Sequence, residues 1–188
     1  MKLVAGLGNC EEKYRNTRHN IGFRFIDEWN KKYSLKEVGL VFIEHEGSIP
    51  ITSCRIYNEE LVLIKPNEGM KVSGKRIKEV VDLFELEPKD VIVVYDEMDL
   101  NLSQIKIKQS GEAAGHNGIK SIIQAIGKDF VRVRLGIDKA LADKKLAHVL
   151  GDFKEDEQQK VEEVLIKAID VVESIIEVGV DKTMNKYN

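Results

Sequence analysis

Apolar and polar positions along this chain follow two periods, and the switches between them predict strands and helices in turn. Lys2 to Leu7 is a short apolar run, a strand, ending in Gly6-Leu7-Gly8-Asn9. A polar loop from Glu11 to Arg18 follows. Gly22, Phe25, Ile26, Trp29 and Tyr33 then recur at helical spacing, which places His19 at a helix start. From Val38 to Ile56 the pattern reads as a β-hairpin region, with Gly47-Ser48-Ile49-Pro50 as its turn. Leu61 to Ile64 is another strand, and Lys65 to Gly69 a loop. Ile77, Val80, Val81 and Phe84 mark a second helix, which stops before Pro88.

The stretch from Tyr95 to Gly118 organises the remainder. An apolar run, Val91 to Val94, delivers Asp96, Glu97 and Asp99 to a strand end, and an alternating run from Ile105 to Lys108 follows. The chain passes Gly111 and Gly115 and enters a helix at His116-Asn117, whose stripe is Ile119, Ile122, Ile123 and Ile126. Carboxylates at a strand end and a His-Asn pair at a helix start are the arrangement of a site in an open α/β sheet. Phe130 to Ile137 alternates strictly, with Arg132 and Arg134 on one face; that face suits phosphate contact or simple exposure to solvent. From Asp156 onward, Val161, Val164, Leu165, Ala168, Val172, Ile175 and Ile176 describe one long amphipathic helix, at about 155–178. Strands alternating with helices, without repeat or linker, predict a single α/β domain over residues 1–188.

Composition narrows the class. The 188 residues are 43% hydrophobic and 32% charged, enough for one domain with a sizeable core. No apolar run approaches the roughly 20 residues of a membrane span, and the start of the sequence does not read as a signal peptide. Cys10 and Cys54 lack CxxC spacing, so the expected setting is a reduced, cytoplasmic one. The net charge is −3, but it is unevenly spread: nine Lys and Arg against four Asp and Glu from Lys106 to Lys145, and three against ten from Asp152 to Asp181. One face is therefore a candidate basic surface, although ordinary solvated faces would give the same counts.

The residues able to carry chemistry are His19, His116, Asp96, Glu97, Asp99, Asn9, Asn20 and Asn117. A histidine backed by a carboxylate is a general base, and His19 with Asp96 could activate water. Asparagines nearby could hold that water or donate to an oxyanion. No G-x-S-x-G elbow is present, which favours attack by water over an acyl-enzyme. Glu97 and Asp99 read more simply as strand-end surface or cap residues, and His45 and His148 as structural. A metal held by His19, His116 and Asp96 lacks H-x-x-x-H spacing, so no metal or other cofactor is expected.

These residues stand in motifs that resemble the bacterial-type peptidyl-tRNA hydrolase family over nearly the whole chain. The matching pieces are G-L-G-N at Gly6 to Asn9, Y-R-N-T-R-H-N-I-G-F from Tyr14 to Phe23, K-P at Lys65-Pro66, and M-x-V-S-G from Met70 to Gly74. D-E-M-D-L from Asp96, G-H-N-G from Gly115 and F-x-R-x-R-x-G-I from Phe130 complete them. The resemblance implies a single mixed, twisted sheet flanked by helices. It also implies metal-free hydrolysis of the ester between a peptide and the 3′ end of tRNA, by a monomer with tRNA as partner. On it, His19 is the base and Asp96 its partner. Asn9, Gly69, Met70, Lys71, His116 and Asn117 lie at the substrate, with Tyr14 at the tRNA 3′ end. Lys108 and Arg134 clamp the tRNA 5′-phosphate. The chain departs from the family in having Cys10-Glu11 in place of Pro-Gly, and Gly69-Met70-Lys71 in place of an aromatic residue, Met and Asn. Lysine at 71 donates but cannot accept, and in a closed cleft its charge is costly to desolvate. An alternative that these departures leave open is a weakly active or inactive RNA-binding relative, which needs only the basic surface.

Overall fold

The computed structural model describes residues 1–34, 39–43, 47–66 and 69–188. Seven strands form one sheet: β1 (Lys2–Gly6), β2 (Gly39–Ile43), β3 (Gly47–Ile56), β4 (Glu59–Ile64), β5 (Val91–Glu97), β6 (Ile105–Lys108) and β7 (Val131–Gly136). Their order is β2-β3-β4-β1-β5-β7-β6. The inner strands β4, β1, β5 and β7 are parallel, while β2, β3 and β6 attach antiparallel at the two margins. The sheet is thus mixed, as the family resemblance implies.

Burial explains the patterning. Parallel strands covered on both faces read as continuous apolar runs, and Val91 to Tyr95 and Leu61 to Ile64 are buried throughout. One face packs on α1 (Ile21–Lys32) and α5 (Gln158–Val178), through Phe25, Trp29, Val161, Leu165 and Val172. The other packs on α2 (Ser73–Leu83) and α3 (Asn117–Ile126), through Ile77, Val80, Ile119 and Ile122. Edge strand β6 alternates, with Ile105 and Ile107 buried and Lys106 and Lys108 exposed. Two short helices escaped the periodicity, α4 (Lys145–Val149) and α6 (Val180–Tyr187), the second set off from α5 by Gly179 at φ +89°. Glu155 to Glu157 form a 3-10 turn ahead of α5.

Two sequence expectations change. Gly47 to Pro50 lie inside β3 and pair with β2, so they are not the hairpin turn; an extended segment with apolar positions overrides the Gly-Pro signal. Val38, His45, Asn67 and Glu68 lie outside the described residues. The arginine face of β7 is also not solvated. Arg132 is 2% exposed, and its guanidinium donates to the carbonyls of Glu112 (2.8 Å), Gly111 and Lys128 (3.3 Å), fastening the loop that leads to His116.

The helix α1 sits hard against the sheet. A Cβ at Gly22 would lie 2.4 Å from Leu7 N and from Val94 O, and one at Gly6 2.1 Å from Gly22 O. Only glycine allows that approach, which brings the turn before α1 over the carboxyl ends of β1 and β5.

Candidate active site

Asp96 is the penultimate residue of β5 and is 4% exposed. Its Oδ1 lies 2.8 Å from Nδ1 of His19 and 3.1 Å from Nε2 of His116. His19 comes from a 3-10 turn, Arg18–Asn20, directly before α1, and His116 is the N-cap of α3. The two rings lie 5.1 Å apart, and Tyr95 meets His116 edge to face at 5.0 Å. Burial pushes the Asp96 carboxyl up, but the two imidazoles, His116 first, outweigh it and hold the group well below the usual carboxylate range. Burial pushes the Tyr95 hydroxyl up to about 12, so it remains a neutral phenol.

The hydrogen bonds assign the protons. The Ile119 N–H donates to Nδ1 of His116 at 3.3 Å, so that nitrogen carries a lone pair and Nε2–H faces Asp96. Both nitrogens of His116 are therefore committed. His19 presents Nδ1–H to Asp96, and its Nε2 has no protein partner among the described residues. One histidine is left with a free basic nitrogen. The same three side chains have donor atoms within 4.8 Å of one another, a set that could also hold a metal such as zinc.

The neighbouring residues converge by backbone contacts. Asn20 is buried; its Oδ1 accepts the Asn9 N–H at 2.7 Å and its Nδ2 donates to the Asn9 carbonyl at 2.9 Å. Asn20 thus holds Asn9 by its backbone, and the Asn9 side chain has no hydrogen-bond partner among the described residues. A Cβ at Gly69 would sit 3.8 Å from Asn9 Oδ1, and one at Gly118 2.4 Å from Met70 Sδ and 3.1 Å from His116 Cε1. Asn9, Gly69, Met70 and His116 are accordingly one neighbourhood. Asn117 joins His19, Asp96 and His116 along a cleft of about 320 Å³, whose other wall is Lys145, Leu146, Val149 and Leu150. A larger cleft of about 590 Å³ is lined by Asn9, Cys10, Asn20, Phe23 and Lys65 among others and holds no histidine among the described residues, whereas His19, His116 and Asp96 all line the smaller one.

Other expected residues lie apart. Lys71 is exposed, in a 3-10 turn before α2, so no desolvation of its charge occurs in the free protein. Tyr14 is half-exposed in the Glu12–Tyr14 turn with Lys13 over its ring. Lys108 is exposed on β6, while Arg134 is paired with Glu97 at 2.8 Å. That pairing gives Glu97 a structural role, and His148 likewise bonds the carbonyls of Ile137 (2.8 Å) and Asp138 (3.0 Å). Sequence reasoning missed the α4 wall and the role of Arg132. Leu146, Val149 and Leu150 do carry an i, i+3, i+4 signal, but over a single turn.

An open α/β sheet with a His-carboxylate pair at its strand ends fits the frame of a hydrolase. Residues 3–188 match the pattern of the peptidyl-tRNA hydrolase family. Among curated proteins, peptidyl-tRNA hydrolase of Fusobacterium nucleatum is 40% identical over 191 residues, covering 100% of this chain and 96% of its own length. That of Thermoanaerobacter sp. is also 40% identical, with 100% of both chains covered. A crystal structure of Acinetobacter baumannii peptidyl-tRNA hydrolase superposes with a TM-score of 0.88 at 29% identity, covering 100% of this chain and 94% of that one. The chain belongs to the peptidyl-tRNA hydrolase family.

Proposed function

We propose that His19, oriented by Asp96, deprotonates the water in the peptidyl-tRNA hydrolysis that membership of this family assigns to the chain. The observation that carries the reading is the proton assignment: of the two histidines on Asp96, His19 alone keeps a ring nitrogen without a partner among the described residues. Water near His19 Nε2 loses its proton as it attacks the ester carbonyl. Asp96, ionised throughout, fixes the tautomer and offsets the imidazolium charge. The imidazolium then returns its proton to the departing 3′ oxygen of the tRNA. Asn9 and Asn117 hold the substrate end and the attacking water, Gly69, Met70 and Lys71 form the rim, and Tyr14 meets the tRNA 3′ end. Lys108 and Arg134 contact the 5′-phosphate. No metal is required by these steps, and the protein acts as a cytoplasmic monomer. No helix among the described residues is long and apolar enough to cross a membrane. The RNA-binding alternative needs no base, whereas two side chains here, Asp96 and His116, are spent on holding one.

The test is release of free tRNA from a peptidyl-tRNA by His19→Ala. The chemical step should fall by about 100-fold or more, with tRNA affinity within about twofold of the parent. Activity within about threefold of the parent would mean that His19 is not the base.

A further inference from the structure

Within the T-R-H-N segment, the buried charge of Arg18 has no role in the chemistry above. Arg18, next to His19, is 6% exposed. Its backbone N–H donates to the Gly151 carbonyl at 3.0 Å. Nη1 donates to the carbonyls of Gly151 (3.4 Å) and Asp152, and Nη2 to Glu157 Oε2 at 2.6 Å. The Phe153 ring lies 5.0 Å from the guanidinium, and Thr17 forms a β-bridge with Asp152. Glu157 is fixed in turn, since its Oε2 accepts the Lys154 N–H at 2.6 Å.

What Arg18 grips is the end of the cleft wall. Leu146, Val149 and Leu150 line the cleft, and Gly151 follows immediately. A Cβ on Gly151 would lie 3.7 Å from Nη1, so the guanidinium packs directly on that exit. The residue before the base thus fastens the base's own turn to the wall opposite Asp96.

We propose that Arg18 is a positioning residue for the hydrolysis: it sets where His19 stands between Asp96 and the α4 wall, and it acts on the reaction through His19. The inference rests on His19 being the base. A planar fork that donates to two carbonyls and a carboxylate fixes direction as well as distance, which a lysine ammonium does not. Displacing a reacting group by about 1 Å costs up to about 100-fold in rate.

The experiment compares Arg18→Lys, His19→Ala and the double variant in the full chain, by single-turnover release of tRNA at saturating enzyme, with tRNA affinity measured separately. Arg18→Lys should slow the chemical step about tenfold with affinity within about twofold of the parent. The same substitution should change nothing further in the His19→Ala background. An equal loss in both backgrounds, an effect on affinity alone, or a chemical step within twofold of the parent overturns the proposal. If His19→Ala itself proves active, the base assignment fails instead, and the two failures are told apart. Should Arg18→Lys not fold, Glu157→Gln keeps the carbonyl contacts and is read in the same two backgrounds, with a loss of about threefold expected.

Discussion

The backbone N–H of Ile119 donates to Nδ1 of His116 at 3.3 Å, so the cap of α3 decides which proton the histidine carries. One side chain serves the helix and the active site together, and the two uses are separable. His116→Ala removes both. It should lower stability by about 1 kcal/mol, as for other lost N-caps, and slow the chemical step about tenfold through a freer Asp96. His116→Asn restores a cap acceptor on a side chain too short for Asp96. It should recover the melting temperature without the rate, and recovery of both would sink the division of roles.

Asp96 stays ionised far into acid because both imidazoles hold its carboxyl below its ordinary value of 3.8. A depressed native value means that the ionised group stabilises the fold above the unfolded value. That stabilisation is lost as pH falls from about 3.8 through the lower native one. Carbon-13 NMR of the Asp96 carboxyl should show no titration between pH 7 and pH 4. A midpoint at or above the ordinary value would refute the paired carboxylate. Asp96→Asn should reduce turnover by about 100-fold or more, because the amide can turn the His19 ring to the wrong tautomer.

Lys108 and Arg134 should differ in how they respond to salt. Lys108 is exposed, and if it meets a tRNA phosphate as proposed, Lys108→Ala should lower the log-log salt slope of tRNA binding by about one. Arg134 is held by Glu97, whose side chain is 12% exposed, and must share its charge between that carboxylate and RNA. Arg134→Ala should therefore change the slope by less than one and lower the melting temperature, since Glu97 is left without its partner. Isothermal binding across a salt series, with melting curves, distinguishes the two; an unchanged slope in Lys108→Ala would remove it from the interface.

Much of the fold was written in local patterns. The apolar runs Leu61 to Ile64 and Val91 to Val94 announced covered strands, and the stripes through Phe25, Ile77, Ile119 and Val161 announced four helices, because periodicity is a one-dimensional record of which face is buried. The motifs around His19, Asp96 and Asn117 marked the family and the candidate residues of its site. Hydrophobic pattern and motif together determined the α/β class and the candidate base.

Tertiary structure decided what those residues are free to do. Arg132 and Arg134 look alike on an alternating strand, yet the first is buried against carbonyls of the Gly111–Glu112 turn and the second is held by Glu97. His19 and His116 are equivalent as letters. Only the meeting of β5, the turn before α1 and the cap of α3 commits both nitrogens of one and leaves a nitrogen of the other without a partner among the described residues. Such contacts join residues 77 and 20 positions apart. No local period encodes them, because they depend on which strand ends the sheet places side by side and on how closely Gly6 and Gly22 let a helix approach.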